Sequence, residues 1–287
     1  MKTLSFPGLG IGPFEIDSVA LNLFGRDIMW YGVIICSGII LAFLYGLYRC
    51  KKENFKSDDF YDIVLLAIPM AIVFARLYYV VFDPTPNYHS FIDVIAVWRG
   101  GIAIYGAIIG GVLAVFLMSK IKKKPFLLLG DIMAPCVMIG QIIGRWGNFM
   151  NVEAYGCVTS LPWRMSSPSI TSEVTREGLA SSDELAGLVD LSLGVHPTFL
   201  YESLWNLLGL VLIHFAVAKK KKYNGQLAFF WLAWYGFGRM LIEPLRTDSL
   251  KLGIFDVSTL VGFLCFAVFT TLYIVFLKKE KNNGTDN

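Results

Sequence analysis

Charge is scarce in this chain: Asp, Glu, Lys and Arg make up 16% of its 287 residues, against about 25% in an ordinary soluble domain. The deficit argues against a surface wetted on all sides and for a chain solvated largely by lipid. Histidine is nearly absent, with three residues, and none belongs to a metal-ligand cluster, so no metal or other cofactor is expected. The five cysteines, Cys36, Cys50, Cys136, Cys157 and Cys265, are odd in number and fit no disulfide framework. Those in apolar runs behave as small hydrophobes. No glycine-rich nucleotide loop and no Ser-His-Asp arrangement occurs. A basic start followed by an apolar core is also missing, so the first apolar helix is expected to serve as the targeting signal.

What is present is apolar length. Hydrophobic residues make up 55% of the chain and mean hydropathy is +0.59. Runs near 28–48, 60–82, 101–119, 126–146, 197–217, 226–243 and 254–277 approach the ~20 residues that a bilayer crossing needs. No internal repeat is visible. The one long polar stretch, 152–196, reads as a small extracytoplasmic insertion in a single transmembrane catalytic domain covering 1–287. The loops near 49–57, 119–124 and 219–222 and the tail 278–281 hold 15 of the 25 Lys and Arg. Basic residues gather in cytoplasmic loops. These four sites alternate correctly if seven helices run from an outside N-terminus to a cytoplasmic C-terminus. The expected fold class is an all-α polytopic membrane protein, and the lysines read as topology signals, with no nucleic-acid partner.

Three arginines fall within or at the ends of the apolar runs, where a central Arg costs about 2.5–3.5 kcal/mol on insertion scales. At 1.5 Å per residue, Arg76 lies roughly 24 Å, Arg145 roughly 28 Å and Arg239 roughly 20 Å from the cytoplasmic starts of their helices. Tyr31, Tyr105, His196, Tyr201 and Glu202 sit near the outer starts of descending helices. A polar set from six helices is therefore expected to converge on the outer leaflet. The structural alternative is snorkelling of each Arg to the headgroups. His214, near a cytoplasmic helix end, and His89, in an outer loop, carry no such argument.

Three motifs carry chemistry. In Gly144-Arg145-Trp146-Gly147-Asn148-Phe149-Met150-Asn151-Val152-Glu153-Ala154-Tyr155-Gly156, two glycines flank an arginine at a helix end, where the backbone is expected to leave helical geometry. The planar fork of Arg145 suits a phosphate. Asn148 and Asn151 can donate to ester or phosphate oxygens, and Glu153 can hold the arginine or accept a proton. In the second motif, Tyr235, Arg239 and Glu243 recur every four residues and share one helical face. In the third, His196-Pro197-Thr198-Phe199-Leu200-Tyr201-Glu202, a proline fits a helix start and Glu202 lies just inside the outer interface.

The first motif resembles the signature of the bacterial prolipoprotein diacylglyceryl transferases, G-R-x-G-N-F-x-N-x-E-x-x-G, at every fixed position. The segments at His196–Glu202 and Tyr235–Glu243, Trp30-Tyr31-Gly32, and the run from Gly100-Gly101 to Gly106 also look like that family. The likeness covers about residues 20–277. It implies a seven-helix protein of the bacterial cytoplasmic membrane with its site toward the outer leaflet. The implied reaction moves the sn-1,2-diacylglyceryl group of phosphatidylglycerol to the lipobox cysteine thiol of a prolipoprotein signal peptide. A thioether forms and glycerol phosphate leaves, the first step of lipoprotein maturation. By the same resemblance Arg145 and Arg239 bind the phosphate and stabilise the leaving group. Asn148, Asn151 and Glu153 orient the headgroup, and Tyr31, Tyr235, Glu202 and Glu243 match polar positions around the cavity. Many members carry His where this chain has Tyr105. An unperturbed Tyr, with a pKa near 10, is a poor base, so Tyr105 is expected to position a group and the base stays open.

Two other functions compete. A transporter or channel for a small anion would place its site near the midplane, often with repeats and broken helices. A non-catalytic scaffold using 152–196 to bind a partner would have no need of Arg145 or Arg239.

Overall fold

The computed structural model describes residues 1–83, 88, 90–247, 251–252 and 255–283; His89 lies outside the described residues. In chain order the elements are β1 (Lys2–Phe6), β2 (Ile11–Ile16), β3 (Val19–Leu23), β4 (Arg26–Met29), α1 (Trp30–Lys52), α2 (Ser57–Phe82), α3 (Phe91–Ile95), α4 (Ile104–Ile121) and α5 (Phe126–Asn151). They continue with β5 (Val158–Thr159), α6 (Pro168–Glu177), α7 (Ser182–Val189), β6 (Gly194–Val195), α8 (Thr198–Leu212), α9 (Gln226–Ile242), β7 (Lys251–Leu252), β8 (Phe255–Asp256) and α10 (Val257–Asn283). The protein is mostly helical and crosses a membrane several times. Six helical segments are long and apolar enough to span: Trp30–Lys52, Ser57–Phe82, Ile104–Ile121, Phe126–Asn151, Thr198–Lys220 and Val257–Asn282. The run expected at 226–243 forms α9, whose 17 residues rise about 26 Å, a little less than the ~30 Å hydrocarbon core.

Two compact units divide the chain, Leu44–Met133 and the remainder, with boundaries inside α1 and α5. In the unit over 44–133, α4 lies hard against α2. Gly106 faces the Phe74 carbonyl and the Ala75 backbone, and one turn on Gly110 faces Met70. This small-xxx-small spacing lets two membrane helices bring their backbones together. Gly111, next along the helix, has nothing within 4 Å of where a Cβ would stand. Replacing Gly106 by Ala is expected to lower the melting temperature in detergent, since overpacking costs about 1–3 kcal/mol. Gly111→Ala should melt within a degree or so of wild type. Equal melting of the two variants would remove the close α2–α4 contact as a source of stability.

Arg76 belongs to the same unit, and its guanidinium is spent on backbone. Nε donates to the Val94 carbonyl at 2.7 Å, Nη2 to Asp93 at 2.6 Å, and Nη1 to Gly100 and Gly101 at 2.8 and 2.7 Å. The side chain is 7% exposed. Four of its five N–H groups are thereby engaged by backbone carbonyls, and it clamps the segment that leads into α4. On that helix's first turn stands Tyr105, half-exposed, its ring 6.1 Å from that of Tyr78.

In the other unit the 152–196 stretch folds as α6, α7 and the β5–β6 pair, but not alone. Leu4 and Ile16 of the N-terminal hairpin are buried with Val152, Tyr155, Met165, Ile170, Val174, Leu188, Val195 and Phe199 in one apolar core. Ser5 and Ser166 exchange both backbone hydrogen bonds at 2.9 Å. The 152–196 stretch thus shares its core with the N-terminal hairpin, and among the described residues four small antiparallel pairs accompany the helices. Strands β1 and β2 are too short for their periodicity to stand out, with Pro7 between them and Pro13 inside β2.

Helices α8 and α9 are joined by a reciprocal tryptophan pair. The Trp205 and Trp234 rings stack 4.3 Å apart at 12°. Each indole N–H donates to the other residue's backbone carbonyl, at 3.0 and 2.9 Å. Trp231 also donates to Gln141 of α5 at 3.2 Å. These bonds fix the register of α8 against α9, so residues one turn away from the pair face each other reproducibly.

Candidate active site

One turn along α8 from Trp205 lies Glu202, 3% exposed. An isolated carboxylate at that depth would be expelled or neutralised; it persists only if cations compensate it. Three do. Arg145 Nη2 of α5 approaches Glu202 Oε2 at 2.5 Å. Arg239 Nη1 of α9 lies 3.3 and 3.4 Å from the two oxygens. Arg246 Nη1, just past α9, donates to Oε1 at 3.0 Å. Arg239 turns its other nitrogen to Glu243, one turn on and 2% exposed. Tyr235, one turn before Arg239, lies in the electrostatic field of Arg239, Glu202, Arg145 and Glu243. Among the described residues of this cluster, three guanidiniums stand against two carboxylates.

A second polar chain runs from the same arginine. Arg145 Nη1 is 3.4 Å from the Asn148 side-chain oxygen. Asn148 and Asn151 in turn donate to Glu153 Oε1 at 2.9 and 3.2 Å. Glu153 therefore holds the asparagines, and the carboxylate of Arg145 is Glu202. The glycines of this motif also do something other than expected. Here α5 stays helical through Asn151, carrying Gly144, Arg145, Gly147 and Asn148 with it, and positive φ first appears at Val152 and Ala154. Gly147 serves by being flat: a Cβ there would stand 2.7 Å from the Tyr31 ring, which packs on the bare helix surface. Tyr31 is thereby placed beside the signature helix, half-exposed.

Around the outside of Glu202, Trp163 donates to the Tyr201 hydroxyl at 2.6 Å, and that oxygen lies 3.1 Å from His196 Nδ1. An indole can only donate, so the tyrosine proton points to His196. Burial lowers the His196 pKa, in keeping with a neutral ring accepting at Nδ1. These residues, Arg145, Asn148, Asn151, Glu153, Tyr31, Glu202, Tyr235, Arg239 and Glu243, all belong to one unit, whereas Tyr105 belongs to the other.

Arg246 was not among the residues singled out from the sequence. A signal existed: Arg239, Glu243 and Arg246 follow at spacings of four and three, which is one helical face. The cluster as a whole can bind an anion and stabilise negative charge as it develops.

Comparisons with known proteins place the chain in a family. The family model for prolipoprotein diacylglyceryl transferase matches residues 18–275. The chain belongs to the prolipoprotein diacylglyceryl transferase family. A phosphatidylglycerol–prolipoprotein diacylglyceryl transferase of Listeria welshimeri is 38% identical over 277 residues, covering 96% of this chain and 94% of the relative. The protein of that name from Finegoldia magna is 39% identical, covering 92% and 97%. That from Limosilactobacillus reuteri is 40% identical, covering 98% and 93%. Because coverage is nearly complete on both sides, this family membership extends over the whole described site.

Proposed function

We propose that this chain transfers the sn-1,2-diacylglyceryl group of phosphatidylglycerol to the lipobox cysteine thiol of a prolipoprotein. The observation that carries the reading is the meeting of Arg145 and Arg239, from helices far apart in sequence, on one buried carboxylate. A lipid phosphodiester carries one negative charge, which suits a cluster in which guanidiniums outnumber carboxylates among the described residues. In the reaction a sulfur–carbon bond forms at the glyceryl carbon and the carbon–oxygen bond to phosphate breaks. The thiol loses its proton, and glycerol phosphate leaves with more negative charge than the diester had. Arg145 and Arg239 face that growing charge. Asn148, Asn151 and Glu153 orient the headgroup, with Tyr31, Tyr235, Glu202 and Glu243 around it. Tyr105 positions a group, and a carboxylate or the lipid phosphate itself is left to take the thiol proton.

In this reading α9 completes seven spans, with the N-terminus outside and the C-terminus in the cytoplasm. The positive-inside pattern supports that orientation. The whole chain is one catalytic domain of the bacterial cytoplasmic membrane, with 152–196 on the outer side and membrane lipids as its solvent. The test is transfer in detergent from labelled phosphatidylglycerol to a synthetic lipobox peptide, with a Cys→Ser peptide as control. A diacylglyceryl mass increment on the Cys peptide alone is expected. A folded protein that labels neither peptide would overturn the reading.

A further inference from the structure

The third arginine on Glu202 is held in place by backbone, and the last glycine of the signature is what admits it. After α9 the chain turns at Glu243–Leu245, where the Arg246 amide donates to the Glu243 carbonyl at 2.9 Å. It then pairs with the segment that follows α5. Cys157 N donates to the Leu245 carbonyl at 2.6 Å, Gly156 and Arg246 form an antiparallel bridge, and Thr247 Oγ1 lies 3.4 Å from the Tyr155 carbonyl. Gly156 has an ordinary backbone conformation; its φ is not positive. Its requirement is space. A Cβ there would stand 2.6 Å from the Leu245 carbonyl oxygen, 2.8 Å from His196 Cβ and 2.9 Å from Thr198 Cγ2. None of these is the far end of a flexible side chain. A methyl group at 156 must therefore push the Leu245–Arg246 backbone away, and with it the guanidinium that reaches Glu202.

Arg246 lies on one oxygen of Glu202, Arg145 on the other, and Arg239 within reach of both. A carboxylate gripped by three forks from three segments occupies the electrostatic centre that a tetrahedral phosphate also suits. We propose that Arg246 is a third phosphate-binding residue for the lipid headgroup and the departing glycerol phosphate, and that Gly156 is the positioning residue that brings it within reach. This rests on the transferase reading for its substrate. The chemistry it names, a phosphate ester in a three-arginine cradle, has its own readout.

The experiment uses the full chain in detergent. Glycerol phosphate is titrated calorimetrically into wild type, Arg246→Gln, Arg246→Lys and Gly156→Ala, each first checked by its melting curve. Kinetics with phosphatidylglycerol and the lipobox peptide follow on the same preparations. Loss of a hydrogen bond to a charged group predicts that Arg246→Gln and Gly156→Ala weaken glycerol phosphate binding by about tenfold or more. The lysine variant should keep part of the affinity. KM for the lipid should rise while KM for the peptide stays put, a split that a general loss of structure does not give. Should the glutamine variant fail to fold, the lysine and alanine variants carry the same comparison. Unchanged glycerol phosphate affinity and unchanged lipid KM in the folded variants would overturn the proposal, with the transferase reading untouched. A wild type that binds glycerol phosphate through Arg246 but transfers nothing would refute the transferase reading alone.

Discussion

Arg239→Gln is expected to reduce transfer by about 10²–10³-fold while leaving a folded protein, because one preorganised donor to developing charge has that scale of effect. Arg239 reaches two buried carboxylates of the cluster, Glu202 and Glu243. It sits on α9, whose register is fixed by the Trp205–Trp234 pair, so its fork cannot be replaced by a neighbour sliding into place. Glutamine keeps an amide donor and much of the length but loses the charge and the second arm of the fork. Arg239→Lys restores charge without the fork and should recover only a fraction of the rate. The measurement is single-turnover transfer under saturating lipid, with size-exclusion profiles as the folding control. Wild-type rates in Arg239→Gln would remove electrostatic stabilisation by this residue from the mechanism.

The second large effect concerns stability. Glu202 is the shared counter-charge of three guanidiniums, and breaking a buried charge network from one side costs about 3–5 kcal/mol. Glu202→Gln should therefore lose much of its folded yield and melt far below wild type. Adding Arg246→Gln in the same chain removes one excess positive charge and should return part of the loss. Such a rescue is a coupling between neighbours in one network, not a sum of independent effects. If the double variant melts below both single variants, the repulsion among the arginines is not what Glu202 balances.

Most of the long helices were legible because lipid leaves a plain mark on sequence. Each expected apolar run overlaps an observed helix, and the signature residues Arg145, Asn148, Asn151 and Glu153 do join one polar chain. What was not legible depends on tertiary approach. Nothing in Gly147 says that it will carry the Tyr31 ring, nor in Gly156 that another backbone will pass beside it. Both look like helix breakers in one dimension and are spacers in three. The N-terminal strands were hidden for a related reason: Leu4 and Ile16 find their apolar partners more than 130 residues away in sequence, beyond the reach of local periodicity. Arg76 shows the opposite case. A buried arginine suggests a ligand site by default, yet here its partners are carbonyls of its own chain. Arg246 lies beyond the end of α9, after the proline-containing turn Glu243–Leu245, so the helical spacing that links Tyr235, Arg239 and Glu243 does not simply carry over to it.

The paired indoles of Trp205 and Trp234 have a consequence for how this protein can be watched. Two chromophores stacked 4.3 Å apart and nearly parallel share their electronic excitation, and the sign and size of the resulting circular dichroism couplet depend on the angle between them. One indole rides on the helix of Glu202 and the other on the helix of Arg239. The chain therefore carries a built-in optical goniometer about one turn from its charged cluster, which reads any rotation of α8 against α9 without a label.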